Sequence, residues 1–161
     1  MILIDANLLI YAGVSPGTTT ATTAAPTPVE LPQRQHAAAS AWLQQQIDVG
    51  HPIGLPWQSL LAFLRISTNP RLFERPASID AAWRIVDAWL QIPTVWIPTP
   101  TERHGQILGT LLRQANAQGN IITDAHLAAL AIEHGLELCS TDGDFARFEG
   151  LRWRNPLREI R

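Results

Sequence analysis

Lysine is missing from this 161-residue chain, and all 12 of its basic residues are arginine. That excludes a phosphate-cradling loop ending in Gly-Lys-Ser/Thr and any phosphoryl-transfer site built on a lysine ammonium. Cysteine is nearly absent: the single Cys139 rules out an internal disulfide and a cysteine-based zinc cluster, and fits a reducing cytoplasm. No apolar run approaches the roughly 18 residues of a membrane span, and the N-terminus carries Asp5 but no basic stretch, so neither a membrane anchor nor a signal peptide is expected. The formal net charge of −2 gives no global field to hold nucleic acid, so any such contact needs a local patch. No serine or cysteine stands with histidine at a recognisable nucleophile spacing, which argues against covalent catalysis.

What the chain does have is aspartate at particular places. MILIDAN carries Asp5, NIITDAH carries Asp124, and LCSTDGDF carries Asp142 and Asp144, each where an apolar stretch turns polar. Four carboxylates brought to one end of a domain repel one another, since two unit charges about 4 Å apart interact by about 4 kcal/mol at an effective dielectric near 20. A cation must then sit among them. Mg²⁺ is the natural candidate, because it binds through one or two carboxylates, waters and substrate phosphates. The chemistry this implies is metal-assisted phosphodiester cleavage.

At 46% hydrophobic, the length suits one domain over 1–161. Met1 to Ile4 reads as a strand covered on both faces. Residues 15–32, with six threonines and four prolines, have no period and read as a flexible insertion. From His36, the positions Ala39, Trp42, Leu43 and Ile47 predict an amphipathic helix stopped by Gly50. Ile53 to Leu55 is a strand, and Pro56 opens a helix that runs to about Asn69. Residues 79–90 predict a helix burying Ile79, Trp83, Val86 and Leu90, with an Asp80/Arg84 pair on its wet face. After a strand at Val95 to Ile97, the residues Thr99, Pro100 and Glu102 predict a capping box for a helix striped by Ile107, Leu108, Leu111 and Leu112. A central helix over Asp124 to His134, stopped by Gly135, a strand at 136–141 and a last one at 151–153 complete an alternating order. That order predicts an α/β fold with a parallel or mostly parallel sheet between helices.

Each candidate has an ordinary alternative. Asp124 at a helix start would gain roughly 0.3–1 kcal/mol from the helix dipole alone. Asp5 and Asp142 follow strands, where loops line a ligand crevice but also make simple turns. Asp144 is equally suited to capping a short helix that carries Phe145 and Phe148. Asn7 either orients a carboxylate or water or caps locally, and Thr141 either bonds to the site or finishes its strand. His126, two positions from Asp124, lies on nearly the opposite side of the helix, against a shared metal. The joint pattern of acids carries the inference.

MILIDANLLIYA, LPWQSLLAFLRISTNPRLF, GNIITDAHLAALAIEHG and STDGDFARFEGLRWRNP, in this order, resemble the PIN-domain ribonuclease toxins called VapC, from bacterial toxin-antitoxin pairs. The likeness spans nearly the whole chain apart from the threonine-rich insertion. It implies a three-layer α/β/α fold with four or five strands and an acidic pocket at their carboxyl ends. By this resemblance Asp5, Asp124, Asp142 and Asp144 are the catalytic acids. One Mg²⁺ or Mn²⁺ is held chiefly by Asp5 and Asp124, with Asp142 as a further metal residue and Asn7 and Thr141 in support. The chain departs from the family at Ala62, where many relatives carry a glutamate, which puts a second metal in doubt. The implied activity is hydrolysis of RNA, gripped by Arg65 and Arg147. The five arginines from 147 to 161 serve either as an RNA-binding cluster or as a solvated tail. The resemblance also implies a VapB-type antitoxin, docked on the second to fourth helices with its C-terminal segment blocking the acidic pocket, and DNA binding left to that partner. A homodimer is common in such toxins, and the six tryptophans permit one. Competing readings are a PIN-like module without turnover that binds RNA or a partner, and a phosphatase of the haloacid dehalogenase type. The phosphatase would need an aspartate where Asn7 stands.

Overall fold

Five short strands form one sheet: β1 (Ile2–Ile4), β2 (Ile53–Gly54), β3 (Val95–Trp96), β4 (Glu137–Cys139) and β5 (Trp153–Arg154). Their order in this computed structural model is β3-β2-β1-β4-β5 and every pairing is parallel. The structure describes residues 1–13, 33–73 and 75–158, so the expected insertion at 15–32 lies outside the described residues. β1 sits in the middle, with Ile2 opposite both Ile53 and Glu137. This central place explains its unbroken apolar character, since both of its faces are covered.

The alternation of side chains along β1 separates two cores. Ile2 and Ile4 pack with α1 (Ala6–Gly13), α2 (Gln33–Val49), α3 (Trp57–Ser67) and α4 (Ile79–Leu90), whereas Leu3 packs with α5 (His104–Gln114) and α6 (Asn120–Glu133). The expected three-layer architecture is present. The chain leaves β1 for β2 and β3 on one side and reaches β4 and β5 on the other, so the strand order reverses between β1 and β4. In open parallel sheets that switch point leaves a crevice at the strand carboxyl ends. Asp5 and Ser140 are the residues that follow β1 and β4 there.

Several expected boundaries hold. Gly50 and Gly135 follow α2 and α6 with φ of 73° and 65°, backbone that a residue with Cβ adopts at a cost. Three expectations are corrected. Val86 is buried as expected, but Ile79 and Trp83 are 60% and 44% exposed and Ala82 joins Val86 on the inner face, with Trp89 set edge-on to Phe63 at a centroid distance of 4.9 Å. The small Ala82 lets α4 approach closely, so shape rather than residue hydrophobicity decides its inner face. Arg84 Nε donates to the Asp80 backbone carbonyl at 3.2 Å rather than to its carboxylate. The capping box at Thr99, Pro100 and Glu102 does not form: α5 starts only at His104, with no side-chain cap.

Glu133 explains that late start. Its Oε2 accepts from Thr101 Oγ and from the Thr101 backbone N–H at 2.6 and 3.1 Å, holding this stretch out of the helix. Its Oε1 lies 2.8 Å from His104 Nδ1, and His104 Nε2 lies 2.9 Å from His126 Nδ1. An ionised Glu133 only accepts, so His104 Nδ1 carries the proton. This chain of side chains ties α5 to α6. Burial, then the neighbouring His104, lowers His126 below its ordinary 6.5, with Glu133 opposing. Burial pushes Glu133 upward, but hydrogen bonds from Thr101 and His104 together outweigh it and hold the carboxyl below its ordinary 4.5.

Both groups therefore bind fewer protons folded than unfolded in mild acid, so their contribution is complete above the unfolded values and lost as pH falls. Asp5 and Asp124, whose carboxyl pKa values are raised, act in the opposite sense over the same range, so the test is a difference: between about pH 7.5 and about pH 5 the thermal midpoint of wild type should fall relative to that of His126→Gln. Equal changes in the two proteins would contradict the role given to His126. Gly13 supplies a packing test, because a Cβ there would stand 2.7 Å from the Phe63 ring. Gly13→Ala should destabilise by about 1–3 kcal/mol in denaturant unfolding, and an unchanged midpoint would show that the ring has room to move.

Candidate metal centre at the strand carboxyl ends

Asp5 leaves β1 at the centre of the sheet and turns straight into α1. Its Oδ1 accepts the Ala6 backbone N–H at 2.7 Å, and its own N–H donates to the Cys139 carbonyl at 3.1 Å. Its Oδ2 accepts the Ser140 hydroxyl at 2.8 Å. The same Ser140 oxygen accepts from Asn7 Nδ2 at 2.9 Å and from the Asp142 backbone N–H at 3.0 Å. A hydroxyl has one donor and two acceptor sites, so all of its capacity is used. Ser140 is fully buried and joins the ends of β1 and β4.

Asn7 completes this join by accepting the Thr141 backbone N–H at 3.4 Å through its Oδ1. Thr141 thus contributes main chain, and the side-chain role expected for it falls to Ser140, which the sequence reading missed. The signal was there, in a serine between a buried strand and Asp142. Asp142 Oδ1 accepts the Asp144 backbone N–H at 2.8 Å and caps the 3₁₀ helix at Gly143–Arg147, whose Phe145 is buried. Asp144 itself pairs with Arg147 at 2.5 Å instead of capping.

Asp124 arrives from the other layer. α6 begins at Asn120, a turn earlier than expected, so Asp124 lies inside the helix rather than at its start. The dipole effect fades within the first turn, which weakens the capping explanation for this carboxylate. Burial, followed by the charges of Asp142, Asp5 and Asp144 in that order, raises its pKa to about 6, and Arg147 opposes them. Asp5 is also raised, by burial first, with the Ser140 and Ala6 hydrogen bonds opposing and Asp142 adding to the rise. The four acids share one electrostatic environment.

A cleft of about 350 Å³ lies at Asp5 and Asp124, and α3 forms its other wall with Gln58, Ser59, Leu61, Ala62 and Arg65. Gln58 Nε2 donates to the Thr123 carbonyl at 2.9 Å, fixing that wall to α6. Among the described residues, no group of three or more His, Cys, Asp and Glu side chains is arranged to hold a metal ion by itself. A hard cation such as Mg²⁺ asks for less than that, one or two carboxylates with waters completing the shell. Asp5 and Asp124 are the pair on the cleft wall, whereas Asp142 is engaged in its cap. The donor set is all oxygen and carries uncompensated negative charge, which fits a divalent cation of this class.

Other candidates lie elsewhere. His126 is bonded to His104, and the buried Cys139 thiol is pushed up to about 12, chiefly by burial, which leaves it inert. Of the C-terminal arginines, Arg152 donates to the Gly135 carbonyl and Arg154 pairs with Glu137 at 3.0 Å, so these two brace the end of the sheet.

Comparison with known proteins places this geometry. The PIN domain family model matches residues 29–151. Ribonuclease VapC37 of Mycobacterium tuberculosis is 37% identical over 156 residues, covering 97% of each chain. VapC ribonuclease Mb2897 of Mycobacterium bovis is 38% identical over 98% of this chain and 96% of its own, and Ribonuclease VapC33 of M. tuberculosis is 38% identical over 99% and 100%. Among solved structures, VapBC2 from Rickettsia felis bound to a promoter DNA fragment superposes with a TM-score of 0.64 at 17% identity, over 96% of this chain and 98% of that one, a likeness of fold. With an acidic cleft at the switch point of a parallel sheet and relatives matching almost end to end, this chain belongs to the PIN-domain family, among the VapC ribonucleases.

Proposed function

We propose that the chain is a divalent-metal-dependent endoribonuclease, the cytoplasmic toxin of a VapBC pair. The observation that carries the reading is the pair of carboxylates, Asp5 and Asp124, that lines one cleft at the strand carboxyl ends, with Asp124 raised to about 6 by burial and by the charges of Asp142, Asp5 and Asp144. Such a cluster has a strong demand for positive charge, and hydrolysis of a phosphodiester is the use that the relatives' names supply.

Asp5 and Asp124 are the residues that would hold Mg²⁺, or Mn²⁺ in its place. When bound, the ion lowers the pKa of a coordinated water and stabilises charge on the scissile phosphate. Ser140 holds the Asp5 carboxylate in orientation, and Asn7 holds Ser140. Asp142, whose charge acts on Asp124, would accept a proton or position a water from outside the shell. An acidic cleft repels phosphate, so cationic side chains must admit the backbone. Arg65, which lines the α3 wall, would make that contact, as would Arg147, which is paired with Asp144. Single-stranded or looped RNA suits such a site, because a flexible strand can bend one phosphate into the cleft, which a stiff A-form duplex resists.

The antitoxin would use a second surface besides the acidic cleft that its C-terminal segment blocks. α1, α2 and α4 enclose a groove of about 360 Å³ lined by Ala12, Leu43, Ile47, Ile85, Trp89 and Ile92. An amphipathic helix presenting apolar anchors fits it. One observation favours a silent binding module instead, the apolar Ala62 in the cleft wall where a carboxylate would add a ligand.

RNA cleavage by the purified chain separates the two readings. Fragments should form with Mg²⁺ or Mn²⁺ and disappear with a chelator, and Asp5→Asn should lower the rate by about two orders of magnitude or more. Identical fragments with and without metal, or in wild type and variant, would sink the enzyme reading. Ser140→Ala should cost about 10–100-fold, as a residue that orients a metal ligand does. Asp124→Asn should abolish cleavage yet raise the thermal midpoint of the chelated protein, because it removes a carboxylate crowded by three others; a lower midpoint would show that Asp124 serves the fold. Expressed with the small protein encoded beside it, the chain should co-purify as a complex, and recovery of the free chain alone would contradict the toxin assignment.

A further inference from the structure

Ser59 is fully buried in the wall of the acidic cleft, and its hydroxyl has no hydrogen-bond partner among the described residues. Buried hydroxyls are nearly always paired, and one left unpaired is destabilising. Helical hydroxyls usually solve this locally by donating to the preceding turn. Elsewhere in this chain they do so: Ser67 donates to the Leu64 carbonyl at 3.3 Å, Thr110 to Gln106 at 2.9 Å and Thr123 to Asn120 at 2.6 Å. Ser59 stands in the first turn of α3, and the Pro56 carbonyl three residues back already accepts the backbone N–H groups of both Ser59 and Leu60. The preceding turn therefore leaves its proton without an acceptor. One helical turn further on, and on the same wall, lies Ala62, which brings no polar atom.

We propose that Ser59 is a positioning residue of the metal centre, its hydroxyl donating to a water in the hydration shell of the ion held by Asp5 and Asp124. This rests on the metal-dependent reading of the site. It gives α3 a part in a shell for which Ala62 supplies no ligand, and it gives the hydroxyl the partner it otherwise lacks. A serine reaches an ion through water, adding no negative charge to a cluster that already has four carboxylates.

The test uses the full chain stripped with a chelator and titrated with MnCl₂ while thermal unfolding is followed, with Ser59→Ala, Ser67→Ala and Asp5→Asn beside wild type. Without metal, Ser59→Ala should melt at or above the wild-type midpoint, because the unpaired hydroxyl is gone. Its half-maximal Mn²⁺ concentration should rise by roughly three- to tenfold, as for one lost water-mediated hydrogen bond. RNA cleavage at limiting metal should fall by the same factor and recover at excess metal. Ser67→Ala, on the same helix but bonded to its own backbone, should keep the wild-type Mn²⁺ response. A lower midpoint with an unchanged Mn²⁺ response would make Ser59 a packing residue and overturn the proposal, as would no change in either quantity. If wild type itself shows no Mn²⁺ shift, or Asp5→Asn shifts equally, the metal centre is wrong and Ser59 falls with it.

Discussion

The hydrogen bond from Ser140 to the buried Asp5 carboxylate is the contact on which the site depends. It closes the gap between the two central strands at the point where the strand order reverses, and it does so with a hydroxyl whose every lone pair and proton is in use. The backbone bond from Asp5 N–H to the Cys139 carbonyl reinforces the same join. A carboxylate this deeply placed would ordinarily take up a proton. The donors from Ser140 and Ala6 counter that tendency, so the group is held in one orientation at the mouth of a crevice. Parallel β-structure supplies the crevice, and the polar network supplies the aim.

Asp124 brings the opposing layer into this arrangement. Its pKa is raised by burial and then by acids on two separate segments of chain, Asp142 and Asp144 on one and Asp5 on the other, so the folded protein stores repulsion where a cation belongs. Arg147 relieves part of it while remaining paired with Asp144. The inner face of α6 is apolar and fixed: Ala125, Leu127, Ala128 and Leu130 are buried, and Glu133 locks the far end to α5 through Thr101 and His104. Strain at one end of the helix is thus set against tight packing along its length, the usual division between a functional site and its scaffold.

Much of the fold was legible in the sequence because its signals were local. The unbroken apolar stretch before Asp5 marked a central strand, and glycines marked the ends of α2 and α6. Misreadings arose where tertiary contacts overruled local pattern. Thr99 to Glu102 has the composition of a capping box, yet Glu133, some thirty positions away, recruits Thr101 and delays α5. The face of α4 was misassigned because hydrophobicity ranks Trp83 and Ile79 above Ala82, whereas a close helix contact selects the small residue.

The site was legible to the same degree and for the same reason. Aspartates after apolar stretches announce themselves, but partners do not. Ser140 became visible only when β1 and β4 were adjacent, since its bonds to Asp5 and Asn7 span more than 130 positions of chain. Ser59 was invisible for a related reason, because an ordinary serine in a helix becomes notable only when burial and a missing partner are known together.

A crystal structure of the chain grown with MnCl₂, with the metal located by anomalous scattering, tests the central claim most directly. The account predicts one strong peak in the cleft, within bonding distance of the carboxylates of Asp5 and Asp124. Manganese bound only at other surfaces, with those two carboxylates contacting no ion, would contradict it.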